Sequence, residues 1–130
     1  MTTIDSYRDL HVWQLAMDLC VRTYQVSAHF PNSEVYGLTA QIRRASVSIP
    51  SNIAEGYRRS RADYARFVAI ARGSTAELDT QLELAHRIGF LSKDEFTALH
   101  GSLDIIGRQL TSLHNKLRAT GAKAPDVSQQ

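Results

Sequence analysis

Seven apolar residues, Phe96, Leu99, Leu103, Ile106, Leu110, Leu113 and Leu117, follow one another at alternating steps of three and four. That rhythm keeps one stripe of a helix turned toward a neighbour over many turns, and it is the pattern of a left-handed helix pair. Such a stripe needs other helices to cover it, and the chain provides them. Ser92-Lys93-Asp94-Glu95 forms a capping box at its start. Upstream, Tyr64, Val68, Ala71, Thr75, Leu78, Leu82 and Ala85 repeat the spacing in a helix expected from about Arg61 to Ile88. Ser60 caps it, with Asp63 in the capping-box place, and Gly89 closes it. A second helix is expected over Leu38 to about Arg59, with Ile42, Ala45, Ile49 and Ile53 on one face. The first runs from Asp9 to about Phe30, ended by Pro31, with Asn32-Ser33-Glu34 opening the next turn. No period-two strand pattern and no internal repeat is present. The fold class is therefore all-α, an antiparallel up-down four-helix bundle in one domain over residues 1–120, followed by a disordered tail over 121–130.

Two features go beyond a plain bundle. Pro50 stands inside the second helix, where it lacks an N–H and crowds the carbonyl of Ser46, at a cost of about 3 kcal/mol in a regular helix interior. A kink is expected there, with Ser46, Ser48, Ser51 and Asn52 bonding the freed backbone groups. The alternative is a polar notch built for a ligand or partner chain. In the first helix the polar residues Gln14, Asp18, Arg22 and Gln25 form one narrow stripe, and almost everything else is apolar. A bundle helix needs an apolar arc of little more than about 100°. The wider arc predicts a second buried face, against another chain or, as the alternative, beneath the N-terminal segment or the tail. A small-residue seam in the third helix, Ala65, Ala69, Gly73 and Ala76, is expected to admit a close backbone.

The net charge of +2 is unevenly spread: residues 40–72 carry seven arginines against Glu55 and Asp63. Arginine suits bidentate contact with phosphate or carboxylate. Arg58, Arg59 and Arg61 fall at a helix–helix corner flanked by Tyr57 and Tyr64, with Arg43 and Arg44 earlier on the same helix. Arginine mixed with aromatics can hold phosphates and stack bases.

Other chemistries find little support. Glu83-x-x-His86 is a single copy of a motif that a di-iron bundle needs twice. Cys20 is the sole cysteine, so neither an internal disulfide nor a cysteine metal cage is available. It reads as an inert hydrophobe. Glu55 near Asn52 reads as an acid–base pair or as a buried hydrogen bond at the kink. No catalytic residue, metal or cofactor is expected. No apolar run reaches membrane-spanning length and no secretory signal is evident, so the expected compartment is the cytoplasm.

Leu10-His11-Val12-Trp13 with Ala16, Phe30-Pro31, Tyr36-Gly37-Leu38, Gln41-Ile42-Arg43-Arg44-Ala45, Ser48-Ile49-Pro50-Ser51-Asn52-Ile53-Ala54-Glu55-Gly56 and Ala71-Arg72-Gly73-Ser74 resemble the bacterial 23S rRNA-intervening-sequence protein family over residues 7–118. The resemblance implies a four-helix bundle assembled as a homopentameric ring, a link to RNA, and no enzymatic activity. Ser48, Pro50, Asn52, Glu55 and Gly56 belong to its most specific motif. Two functions are carried forward. One is a non-catalytic oligomer that binds nucleic acid, RNA above all, through Arg43, Arg44, Arg58, Arg59, Arg61, Tyr57 and Tyr64. The alternative is a protein-interaction scaffold whose arginines pair with acids of neighbouring subunits.

Overall fold

The computed structural model describes residues 3–119, so the expected tail lies outside the described residues. Four helices follow in order: α1 His11–Ser27, α2 Leu38–Tyr57, α3 Arg61–Arg87 and α4 Lys93–Arg118. Two single 3-10 turns, Tyr7–Asp9 and Asn32–Glu34, precede α1 and α2. No strand occurs among the described residues. Each helix packs against its chain neighbours, and α1 closes the bundle against α4, which gives the antiparallel up-down arrangement.

The core follows the apolar stripes. All seven spaced residues of α3 are buried, as are six of the seven on α4, Phe96 at its first turn being half-buried. Capping obeys local chemistry. The Ser92 and Glu95 side chains bond reciprocally to each other's backbone N–H. The Ser60 hydroxyl accepts from the Asp63 N–H. Gly89 takes φ +90°, which lets the Phe90 N–H reach back to the Ala85 carbonyl at 2.9 Å. Helix α1 ends at Ser27, earlier than Pro31 alone requires. Phe30 turns inward beside Phe90, with ring centroids 5.6 Å apart, and this pulls the chain off the helix axis. The α2 N-terminus is capped by Glu34, whose carboxylate accepts from the Leu38 N–H at 3.1 Å. A Cβ on Gly37 would lie 2.7 Å from that carboxylate.

Helix α2 runs unbroken from Leu38 to Tyr57 across Pro50. The carbonyl that proline leaves unsatisfied is that of Ser46, and its donor comes from another helix: the Cys20 thiol of α1, at 3.0 Å, in the core. The serine hydroxyls expected to fill this gap bond elsewhere, Ser46 to the Arg43 carbonyl and Ser48 to the Ala45 carbonyl, while Asn52 donates to the Ser48 carbonyl. Ser51 is exposed. Burial pushes the Cys20 thiol above its ordinary pKa, so it stays protonated and able to donate. Beside the proline lies a mainly apolar hollow walled by Trp13, Met17, Cys20 and Val47.

On the outer side of α3 and α4, His86, Phe96 and His100 stack with centroids 5.4 and 5.5 Å apart. His100 Nδ1 lies 2.8 Å from an Asp79 oxygen, and that hydrogen bond raises its pKa above the ordinary 6.5. Protonated His100 is therefore favoured in the folded chain. Its stabilising contribution is complete below pH 6.5 and fades as pH rises through the higher folded value. Thermal melts at a series of pH values should show Asp79→Asn flattening this part of the profile. An unchanged profile would show that the exposed pair contributes nothing.

Candidate nucleic-acid interface

An up-down bundle brings the start of α1, the end of α2, the start of α3 and the end of α4 to one end. Arg8, Arg58, Arg59, Arg61, Arg66, Lys116 and Arg118 gather there, seven cations against the four carboxylates of Asp5, Asp9, Glu55 and Asp63. This end thus holds an excess of three positive charges, in a chain whose net charge is +2.

Arginine–aromatic packing organises the surface. The Arg58 guanidinium lies 5.7 Å from the Tyr7 ring centroid. The Arg8 guanidinium lies 5.4 Å from the Tyr7 ring and 5.6 Å from Trp13, and those two rings are 5.4 Å apart. Phe67 carries the guanidiniums of Arg59 and Arg66 at 5.0 and 4.6 Å. Arg59 also meets Glu55 at 2.5 Å. Arg61 donates to the Lys116 carbonyl at 2.7 Å, which ties α3 to the last turn of α4.

The residues named from sequence divide into three groups. Arg58, Arg59, Arg61 and Tyr57 share the basic end. Arg43 and Arg44 do not: fifteen residues of helix at 1.5 Å each separate Arg43 from Arg58 by about 22 Å. Arg43 is spent on the α1 terminus, with Nε on the Ser27 hydroxyl at 2.9 Å and its guanidinium 4.5 Å from the Tyr24 ring. Arg44 is exposed beside it. Tyr64 is a core residue at 3% exposure, so its ring is not offered to a base at the surface. Burial pushes its phenol well above the ordinary range.

The specific motif of α2 is structural in these contacts. Ser48 bonds Ser74 of α3, Pro50 is buried, and Gly56 lets α3 approach closely. Asn52 and Glu55 do not form the anticipated pair, since Asn52 bonds the Ser48 carbonyl and Glu55 meets Arg59. Glu83 pairs with Arg87 at 2.6 Å and His86 Nδ1 faces the Leu91 carbonyl at 2.9 Å, which occupies the lone Glu-x-x-His. Among the described residues no cluster of three metal-ligating side chains occurs. Sequence reasoning passed over Tyr7, Arg8, Trp13, Lys116 and Arg118. Up-down connectivity was the signal that would have placed them beside the arginine corner.

Fold and site together define a class: a small antiparallel four-helix bundle with one basic, aromatic-studded end. The chain belongs to the 23S rRNA-intervening sequence protein family, whose profile matches residues 8–112. A crystal structure of a protein of unknown function from the S23 ribosomal protein family of Bacteroides thetaiotaomicron superposes with a TM-score of 0.72 at 24% identity, over 79% of this chain and 97% of that one. That likeness shows the fold. No curated protein matches the chain.

Proposed function

We propose that this protein is a non-catalytic homo-oligomer that binds RNA through its basic end. The carrying observation is the concentration of Arg58, Arg59, Arg61, Arg66, Arg8, Lys116 and Arg118 at one end, interleaved with Tyr7, Trp13 and Tyr57. A phosphate backbone is met by such cations with release of counterions, and this term needs no base sequence. The family's name points to RNA as the nucleic acid. Arg43 and Arg44 leave the proposed phosphate-contact set because they lie far from the basic end, and buried Tyr64 leaves the set of surface stacking groups.

The assembly we propose is the homopentamer that the family resemblance implies. In its favour, Met17, Val21 and Tyr24 form an apolar ridge on α1 that stays exposed among the described residues, with Val47 of α2 also exposed. A ring would repeat the basic end in every subunit and multiply its field. The scaffold reading draws on a different observation: Arg59 and Arg66 already hold carboxylates of their own chain, Glu55 and Asp63. A purely structural role for them follows if RNA is not bound. The proposed compartment is the cytoplasm, where the unpaired thiol of Cys20 stays reduced. The variant Arg58→Ala with Arg59→Ala is expected to weaken RNA binding and to lower the slope of log affinity against log salt by about two. Filter binding at several salt concentrations measures both. Unchanged affinity in a folded double variant would count against the basic end as the RNA site.

A further inference from the structure

At the corner between α2 and α3, against the last turn of α4, lies a cavity of about 330 Å³ lined by Tyr57, Arg59, Arg61, Tyr64 and Leu117. Tyr64 and Leu117 are 3% and 5% exposed, so the core holds them in place. Tyr57 is half-buried and meets Tyr64 edge-on, with centroids 6.0 Å apart. Among the described residues the buried Tyr64 hydroxyl has no hydrogen-bond partner. Buried hydroxyls are nearly always paired, which makes this one a ready partner for an incoming group.

We infer that this cavity receives one unpaired nucleobase of a single strand held on the basic end. The inference rests on the RNA-binding reading and narrows it from phosphate contact to recognition of single-stranded segments. Size is the first support: ligand pockets span roughly 300–1,000 Å³, and this one has room for a single base. Composition is the second. A base needs flat aromatic or apolar walls and a hydrogen-bonding group for its edge. Tyr57, Tyr64 and Leu117 form the walls, and the Tyr64 hydroxyl is the group in need of a partner. That hydroxyl is shut off from solvent, so an entering base must displace a neighbour, and half-buried Tyr57 is the ring with room to move. A bare phosphate fits less well. Three of the five lining residues are aromatic or aliphatic, while Arg59 and Arg61 hold the Glu55 carboxylate and the Lys116 carbonyl. The strand flanking the base would run over Arg58 and Arg66 on the same end. A paired, stacked base cannot enter, which sets single strands apart from duplexes.

The test is fluorescence anisotropy with the full chain and a short RNA free of self-complementarity, presented alone, annealed to its complement, and as the same sequence in DNA. The inference expects the single strand to bind about tenfold tighter than the duplex. Tyr57→Ala should remove that preference, lowering single-strand affinity far more than duplex affinity. Tyr64→Phe, which keeps the ring and deletes the hydroxyl, should lower single-strand affinity several-fold with no loss of thermal stability. Equal RNA and DNA single-strand affinity supports base recognition that ignores the 2′-hydroxyl, and tighter RNA binding supports it with the sugar read as well. Equal binding of single strand and duplex, or an undiminished preference in both variants, overturns the base pocket and leaves the phosphate surface standing. No binding to any of the three overturns both readings.

Discussion

Gly56→Val should cost the protein about 3 kcal/mol or more and lower its melting temperature by roughly 10 °C. Gly56 is buried at the end of α2, where α3 crosses it. A Cβ there would lie 2.7 Å from the Phe67 Cβ and 3.1 Å from the Tyr64 ring. Neither neighbour is the far end of a flexible side chain: one is fixed to the α3 backbone and the other is locked in the core. Valine brings two further carbons to the same point, so the helices must separate. Helix propensity acts the other way, since glycine costs about 1 kcal/mol relative to alanine, but it is the smaller term. Gly73 supplies the control. A Cβ added there meets nothing within 4 Å, so Gly73→Ala should raise the stability of the chain by up to about 1 kcal/mol. Thermal melts of both variants check the pair. A Gly56→Val protein as stable as the parent would show that the α2–α3 corner is looser than described.

Val21→Asp is expected to dissolve the proposed homo-oligomer and leave the fold. Val21 is 55% exposed, between Met17 at 39% and Tyr24 at 44%, at steps of four and three along α1. A surface substitution of this kind changes the stability of one chain by roughly 0.5 kcal/mol or less. Within a subunit interface the same carboxylate is desolvated without a partner, and it ionises only at a cost of several kcal/mol. Light scattering should then report 14.5 kDa in place of the multimer. RNA affinity should fall as well, because linked sites on one ring gain about 10²–10⁴ in avidity. If Val21→Asp keeps the parent mass, the α1 ridge is not the contact between subunits.

Much of this fold is legible along the chain. The α4 stripe from Phe96 to Leu117 and its Ser92–Glu95 box depend on neighbours three and four residues apart, and both stand where the spacing puts them. The wide arc on α1 is legible too: it resolves into a buried side through Val12, Ala16 and Leu19, and the exposed ridge of Met17, Val21 and Tyr24. Contacts between distant segments are less so. The thiol that serves the carbonyl freed by Pro50 is twenty-six residues away on another helix, and no local pattern announces it. Tyr64 shows how two signals compete at one residue. It stands in the apolar spacing of α3 and also beside the arginine corner, and the spacing prevails because a first-turn residue on the inner face has α2 and α4 packed over it. The small-residue run through Ala69, Gly73 and Ala76 is likewise not used inside the bundle, where these residues are exposed. The basic end needed topology, since Arg8 and Lys116 are over a hundred residues apart in the chain.

The most direct test of the basic end is the salt dependence of RNA binding by the nuclease-treated protein, with mass measured by light scattering on the same sample. Binding by a multimer, with log affinity falling linearly as log salt rises and a slope of several units, is the predicted result. A well-formed multimer that fails to bind RNA at low salt would contradict it, and would leave the arginines as structural cations.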